Sequence, residues 1–189
     1  ATGTYSFSLT ITNSAGSSSK TVSNKIQVLA NYCTPDTVAG KMLTFTNPGD
    51  YAEQSRGLNI TTNTLTISCW IKPNGTQPSF AGIVFSPCSG ASGMCFRNSN
   101  ELGYTWADGP ATYNWASGLT VPANVWSHVA LVISATSTSV YLNGVVATQT
   151  IANAAVNFNA PFQIGIDRNN TGRNFKGLMD ELCIYNRAM

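Results

Sequence analysis

The chain has 189 residues, enough for one sandwich-sized core plus part of a second domain, and a formal net charge of +2. Charged residues make up only 10%, against roughly 25% in ordinary soluble domains, so Asn, Ser, Thr and Gly supply the polarity. No basic run is present, which argues against nucleic acid, and no apolar stretch approaches the ~20 residues of a membrane span.

Taken in chain order, residues 5–11 alternate apolar and polar side chains, 13–17 read as a turn, and 21–28 read as a second strand. Residues 1–30 therefore form a hairpin, and 31–40, with Pro35, form a linker. Strands are then expected at 42–46, 51–54, 65–72, 82–86, 94–97, 101–106, 126–134, 139–143, 145–151, 162–166 and 177–185. No segment shows an amphipathic-helix period. The runs at 126–132 and 140–144 read as a hairpin closed at Asn143-Gly144, because a type I′ turn needs two residues that tolerate φ > 0.

The five cysteines are an odd number, so at least one is unpaired or bonded elsewhere. Cys88 and Cys95 bracket a flexible Gly- and Ser-containing loop and read either as a disulfide or as two reduced thiols. Cys69 alternates with Leu65, Ile67 and Ile71 and is expected in the core.

Glycoside hydrolysis needs two carboxyl groups at one substrate. The chain has only eight acids, and the adjacent Asp180 and Glu181 would point to opposite faces of a strand. No pair of acids is therefore expected over a shared substrate, and Gly-x-Ser-x-Gly nucleophile motifs are absent. The aromatic cluster at 104–115 suits sugar binding better. Tyr104, Trp106, Tyr113 and Trp115 offer flat rings for pyranose faces, and Asp108 offers an acceptor for hydroxyls. The alternative is that Trp106 fills one face of its sheet while Tyr113 and Trp115 staple the loop to the sandwich.

Several short motifs follow one another over residues 41–189. They are Leu43-Thr44-Phe45, Gly49-Asp50-Tyr51, Trp70-Ile71-Lys72-Pro73, the run from Trp126 through His128 to Val132, Tyr141-Leu142-Asn143-Gly144, Ile164-Gly165-Ile166-Asp167, and the stretch from Gly177 to Arg187. In this order they resemble the laminin-G-like, concanavalin A-like lectin-glucanase domains. That resemblance implies an all-β jelly-roll sandwich of two antiparallel sheets, used mainly to recognise sugars outside cells. It implies a binding rim that includes Arg168 and Asn169, and a structural role for His128. It further implies one structural Ca²⁺ held by Asp180 with Asp50, and a Cys33–Cys183 disulfide between the first and last strands.

The Gly-x-Tyr-x-Phe-x-Leu-x-Ile wording of residues 3–11 is similar to the closing hairpin of a PKD-type immunoglobulin-like domain, which would make the chain an excised piece of a longer one. The laminarinase-type spacing Glu-x-Asp-x-x-Glu, which would mark a hydrolase on this fold, is missing. The expected function is a non-catalytic carbohydrate-binding module of an extracellular or bacterial cell-surface protein. Its expected partners are a glycan or polysaccharide and the neighbouring domains of its parent chain. The alternative is a structural or adhesive stalk module that contacts only protein.

Overall fold

The structure is a computed structural model that describes all residues except 1–2, 14–15, 29–41, 55, 88–89 and 169. The chain divides into two compact units, Ala1–Asp36 and Thr37–Met189. In the first, β1 (Gly3–Asn13) pairs antiparallel with β2 (Gly16–Val28), and the register shifts between Tyr5 and Phe7.

The second unit is built from two antiparallel sheets. Its strands are β3 (Leu43–Phe45), β4 (Ala52–Glu53), β5 (Thr61–Thr62), β6 (Leu65–Pro73), β7 (Gly82–Ser86), β8 (Ser92–Asn98) and β9 (Glu101–Thr105). After helix α1 (Pro110–Tyr113) come β10 (Ser127–Ile133), β11 (Ser137–Leu142), β12 (Val145–Thr150), β13 (Val156–Asn157), β14 (Gln163–Ile164) and β15 (Gly177–Tyr185). One sheet runs β12-β11-β10-β6-β15-β3 and the other β4-β14-β7-β8-β9, with a small β13-β5 ladder beside them. Every strand expected in residues 41–189 has a counterpart; among the described residues β5, β13, the single turn of α1 and a 3-10 turn at Thr171–Arg173 went unforeseen. No helix among the described residues is long and apolar enough to cross a membrane.

Alternation explains the six-stranded sheet. Leu65, Ile67, Cys69 and Ile71 of β6 point inward and meet Val129, Leu131 and Ile133 of β10 on the same face. Cys69 is fully buried as expected, and burial pushes its thiol up. Across the sandwich Phe96 stacks on Phe175, with ring centroids 6.1 Å apart, and Phe175 meets Phe45 edge-on at 5.8 Å. Full burial of side chains of this size contributes about 1.5–3 kcal/mol each.

The β7 and β8 strands lack alternation because both their faces are covered. Phe85, Ala91 and Cys95 form a second apolar cluster. The segment leading from β14 to β15 crosses β7 so closely that a Cβ on Gly82 would lie 2.3 Å from the Ile166 carbonyl carbon and 2.5 Å from Asp167 N.

One turn assignment is corrected. Asn143 and Gly144 do take positive φ, 49° and 85°, but they join β11 to β12. A two-residue turn can connect only the strands that flank it. β10 pairs with β11 as expected, through the turn in which Ser134 N donates to Ser137 O. The Asn143 side chain instead ties back to β10 by accepting from His128 N at 2.8 Å.

Candidate functional site

Three segments meet beside the five-stranded sheet and line a cavity of about 260 Å³. The β6–β7 loop supplies Phe80. The end of β9 and the turn into α1 supply Thr105, Asp108 and Tyr113, and the β14–β15 loop supplies Asp167, Arg168 and Arg173.

The first wall is set by hydrogen bonds around a tight turn. Trp106 N donates to Thr112 Oγ1, Ala107 N donates to Ser92 Oγ and Asp108 N donates to Ala91 O. Pro110 sits in the first turn of α1, where its missing N–H costs nothing, and carries the chain round so that Tyr113 lines the cavity. Tyr113 meets Phe80 edge-on, with centroids 6.2 Å apart.

The opposite wall is ionic. Asp167, 1% exposed, lies behind the rim and accepts from Arg168 Nε at 2.8 Å and from Arg173 Nη1 at 3.0 Å. Arg168 reaches across to the turn before α1 and donates through Nη1 to Asp108 Oδ1 at 3.0 Å. Burial works against the Arg168 charge, but the hydrogen bonds and charges of Asp167 and Asp108 outweigh it and raise the guanidinium pKa. The Arg173 guanidinium lies 5.0 Å above the Phe80 ring, a cation–π contact that steadies both. A 3-10 turn over Thr171–Arg173, capped by Asn170 Oδ1 accepting from Gly172 N, presents Arg173.

The backbone here is unusual. Phe80, Ala107, Asp108 and Arg168 take φ of 62°, 50°, 53° and 53°. Left-handed backbone at non-glycine residues costs energy and tends to gather at ligand sites.

The expected site residues divide. Asp108, Tyr113 and Arg168 come together in the cavity. Tyr104 and Trp106 do not, which corrects their assignment to sugar contact. Tyr104 is 0% exposed and donates its hydroxyl to Gln149 Oε1 at 2.7 Å. Trp106 is 3% exposed, packs on Phe158, and donates Nε1–H to Ala154 O at 2.7 Å. Both lie on inward positions of β9 or its continuation, so the core claims them, as the alternative reading allowed. Trp115 is half-buried edge-on to Tyr104 at 5.9 Å, outside the cavity lining. Asn169 falls outside the described residues.

Phe80 was missed, and Thr105, Asp167 and Arg173 lie within the loops expected to bind without having been singled out. An aromatic residue after Pro78-Ser79 in an otherwise polar loop was the available signal for Phe80. The other three are assembled by the fold alone. The cavity also brings two acids, Asp108 and Asp167, to one place, against the expectation from acid spacing. They arrive from loops 59 positions apart in the chain (167 minus 108).

Asp50 and Asp180, the expected Ca²⁺ ligands, each accept hydrogen bonds from nearby backbone N–H groups. Asp50 Oδ2 accepts from Thr46 N at 2.8 Å and Asn47 N at 2.7 Å, and Asp180 Oδ1 accepts from Glu181 N at 2.8 Å. Among the described residues no three His, Cys, Asp or Glu side chains gather as metal ligands. The backbone bonds from Asn47 and Thr46 hold the Asp50 carboxyl below its ordinary value of 3.8. Because the folded value is the lower one, this stabilisation is complete above the ordinary value and disappears as pH falls through the folded one. Melting curves recorded through that acid range should therefore fall more steeply for the wild type than for Asp50→Asn.

His128 lies half-buried beside Trp70, with centroids 5.5 Å apart; burial lowers its pKa and the Glu181 charge partly restores it. Cys95 and Cys183 are free thiols, and the residues expected to pair with them, Cys88 and Cys33, lie outside the described residues. Burial, with the Asp167 charge, pushes the Cys95 thiol up to about 12.

Comparison with solved structures returns the same sandwich. A heptameric SAP-like pentraxin from Limulus polyphemus aligns at TM-score 0.61 and 16% identity, over 77% of this chain and 74% of that one. Domain 4 of AbnA, a GH43 extracellular arabinanase from Geobacillus stearothermophilus solved with arabinotriose, aligns at 0.60 and 24% identity, over 82% and 74%. The LG4-5 domains of mouse laminin α1 align at 0.56 and 16% identity, over 80% of this chain and 44% of that one. A search of curated protein sequences finds no match. The family model Laminin_G_3, described as the Concanavalin A-like lectin/glucanases superfamily, matches residues 45–189, and the chain belongs to that family.

Proposed function

We propose that this chain is a non-catalytic carbohydrate-binding module of a larger extracellular or cell-surface protein, and that it takes its glycan in the Phe80–Tyr113–Arg168 cavity. The observation that carries this reading is the cavity itself. It combines aromatic rings, a half-exposed carboxylate and two guanidiniums on a rim of left-handed backbone, the mixture that sugar faces and hydroxyls require. A domain of like fold was solved with arabinotriose, which supports the class of ligand. The N-terminal hairpin, by its wording, belongs to a PKD-type domain of the parent chain.

Geometry also bears on catalysis. Asp167 is enclosed, and both its oxygens accept from guanidiniums, so neither is free to attack an anomeric carbon. Asp108 is then the one carboxylate of the cavity open to a substrate, and one is too few for the usual two-carboxylate mechanism.

Affinity electrophoresis against plant, algal and host polysaccharides tests the proposal. Retardation is expected, and Tyr113→Ala should weaken it about three- to tenfold, the worth of one aromatic contact. Incubation with labelled oligosaccharides should release no product. Failure to bind any glycan would leave the adhesive stalk as the better description.

A further inference from the structure

The charges that line the cavity cancel: Asp108 and Asp167 against Arg168 and Arg173. They are also already committed to one another. Arg168 uses Nε and Nη2 on Asp167, at 2.8 and 3.4 Å, and Nη1 on Asp108 at 3.0 Å. Arg173 uses Nη1 on Asp167, and its guanidinium carbon lies over the Phe80 ring. Arg168 therefore presents no free two-pronged face, the arrangement that recognises a carboxylate or phosphate, and Arg173 has one of its two Nη groups engaged.

An anionic ligand entering here would meet the Asp108 carboxylate, whose side chain is 49% exposed, beside the cation it sought. A hydroxyl meets no such penalty, because it can donate to Asp108 and accept from an outward guanidinium N–H. Size limits the ligand further. At about 260 Å³ the cavity lies below the roughly 300–1,000 Å³ of sites for drug-sized molecules, so it accommodates one ring.

We infer that the cavity binds a single neutral sugar unit at the end of a glycan, with Asp108 as the hydroxyl acceptor and as the group that turns away acidic sugars. This rests on the carbohydrate-binding reading above and narrows it to a charge class and a length.

The experiment uses the full chain on an array carrying neutral glycans and their uronic-acid counterparts, followed by titration calorimetry with the best hits. The expected result is binding to neutral glycans only, with affinity unchanged between low and high salt. The free terminal monosaccharide should compete as well, mole for mole, as the oligosaccharide. Asp108→Asn removes one negative charge, so neutral binding should fall about tenfold or more and uronic-acid glycans should become ligands whose affinity drops with salt.

Wild-type preference for uronic-acid glycans would overturn the inference while leaving the carbohydrate-binding reading intact, and so would affinity that climbs steadily with chain length. Absence of binding to every glycan, neutral or acidic, would overturn both. A far-ultraviolet spectrum and melting curve for Asp108→Asn that match the wild type confirm that any change in binding comes from the lost charge.

Discussion

Trp106→Ala should destabilise the jelly-roll unit by about 3–5 kcal/mol, the range for emptying a large aromatic site in a core. The indole is 3% exposed, lies 5.6 Å from the Phe158 ring and holds the Ala154 carbonyl through its N–H. Alanine would leave a void beside the Phe158–Phe162 stack that is not readily filled in a close-packed interior. In urea the midpoint should fall while the slope stays constant, because the area exposed on unfolding hardly changes. The melting temperature should drop on the order of 10 °C. Sugar affinity measured well below that temperature should change little, since the indole does not line the cavity. A stable Trp106→Ala protein that has lost glycan binding would show that the ring acts at the surface and that the site lies elsewhere.

Gly82→Ala is the second large effect, and it couples stability to the site. The added methyl would sit 2.3 Å from the Ile166 carbonyl carbon, 2.4 Å from its oxygen and 2.5 Å from Asp167 N, all backbone atoms that cannot swing aside. Either β7 or the β14–β15 segment must move. The cost should reach the upper part of the 1–3 kcal/mol usual for overpacking, about 3 kcal/mol. β7 is preceded by Phe80 and the β14–β15 segment carries the carboxylate that both arginines hold, so either shift disturbs the cavity and glycan affinity should fall as well. Denaturation and binding measured on one preparation would show the two losses together. Wild-type affinity in a destabilised Gly82→Ala protein would mean that the Asp167 cluster does not shape the cavity.

The strands were legible in the sequence because two-residue alternation writes a one-sided sheet directly into the order of side chains. Leu65, Ile67, Cys69 and Ile71 against Thr66, Ser68, Trp70 and Lys72 is such a record. The same rule held at Tyr104 and Trp106, where the ring chemistry misled. Their ring types suited a sugar, but their spacing from Leu102 placed them inward, and position outranked chemistry. Asp108, Tyr113 and Arg168 could be read as site candidates because they stand in loops rich in turn residues, where a fold places its surface polar groups. Asp167 and Arg173 could not be paired that way. Their partnership depends on the close approach of one loop to Gly82 and on left-handed backbone at Arg168, and no pattern along the chain encodes either.

The left-handed residues around the cavity have a thermodynamic consequence. Phe80, Ala107, Asp108 and Arg168 are fixed in scarce conformations by the fold itself, so their freedom is surrendered when the chain folds and not when a guest arrives. Free and occupied forms should then superimpose closely, and association should bear little penalty for immobilising the rim. A receptor made rigid in advance can discriminate between closely similar rings even though each contact it offers is weak.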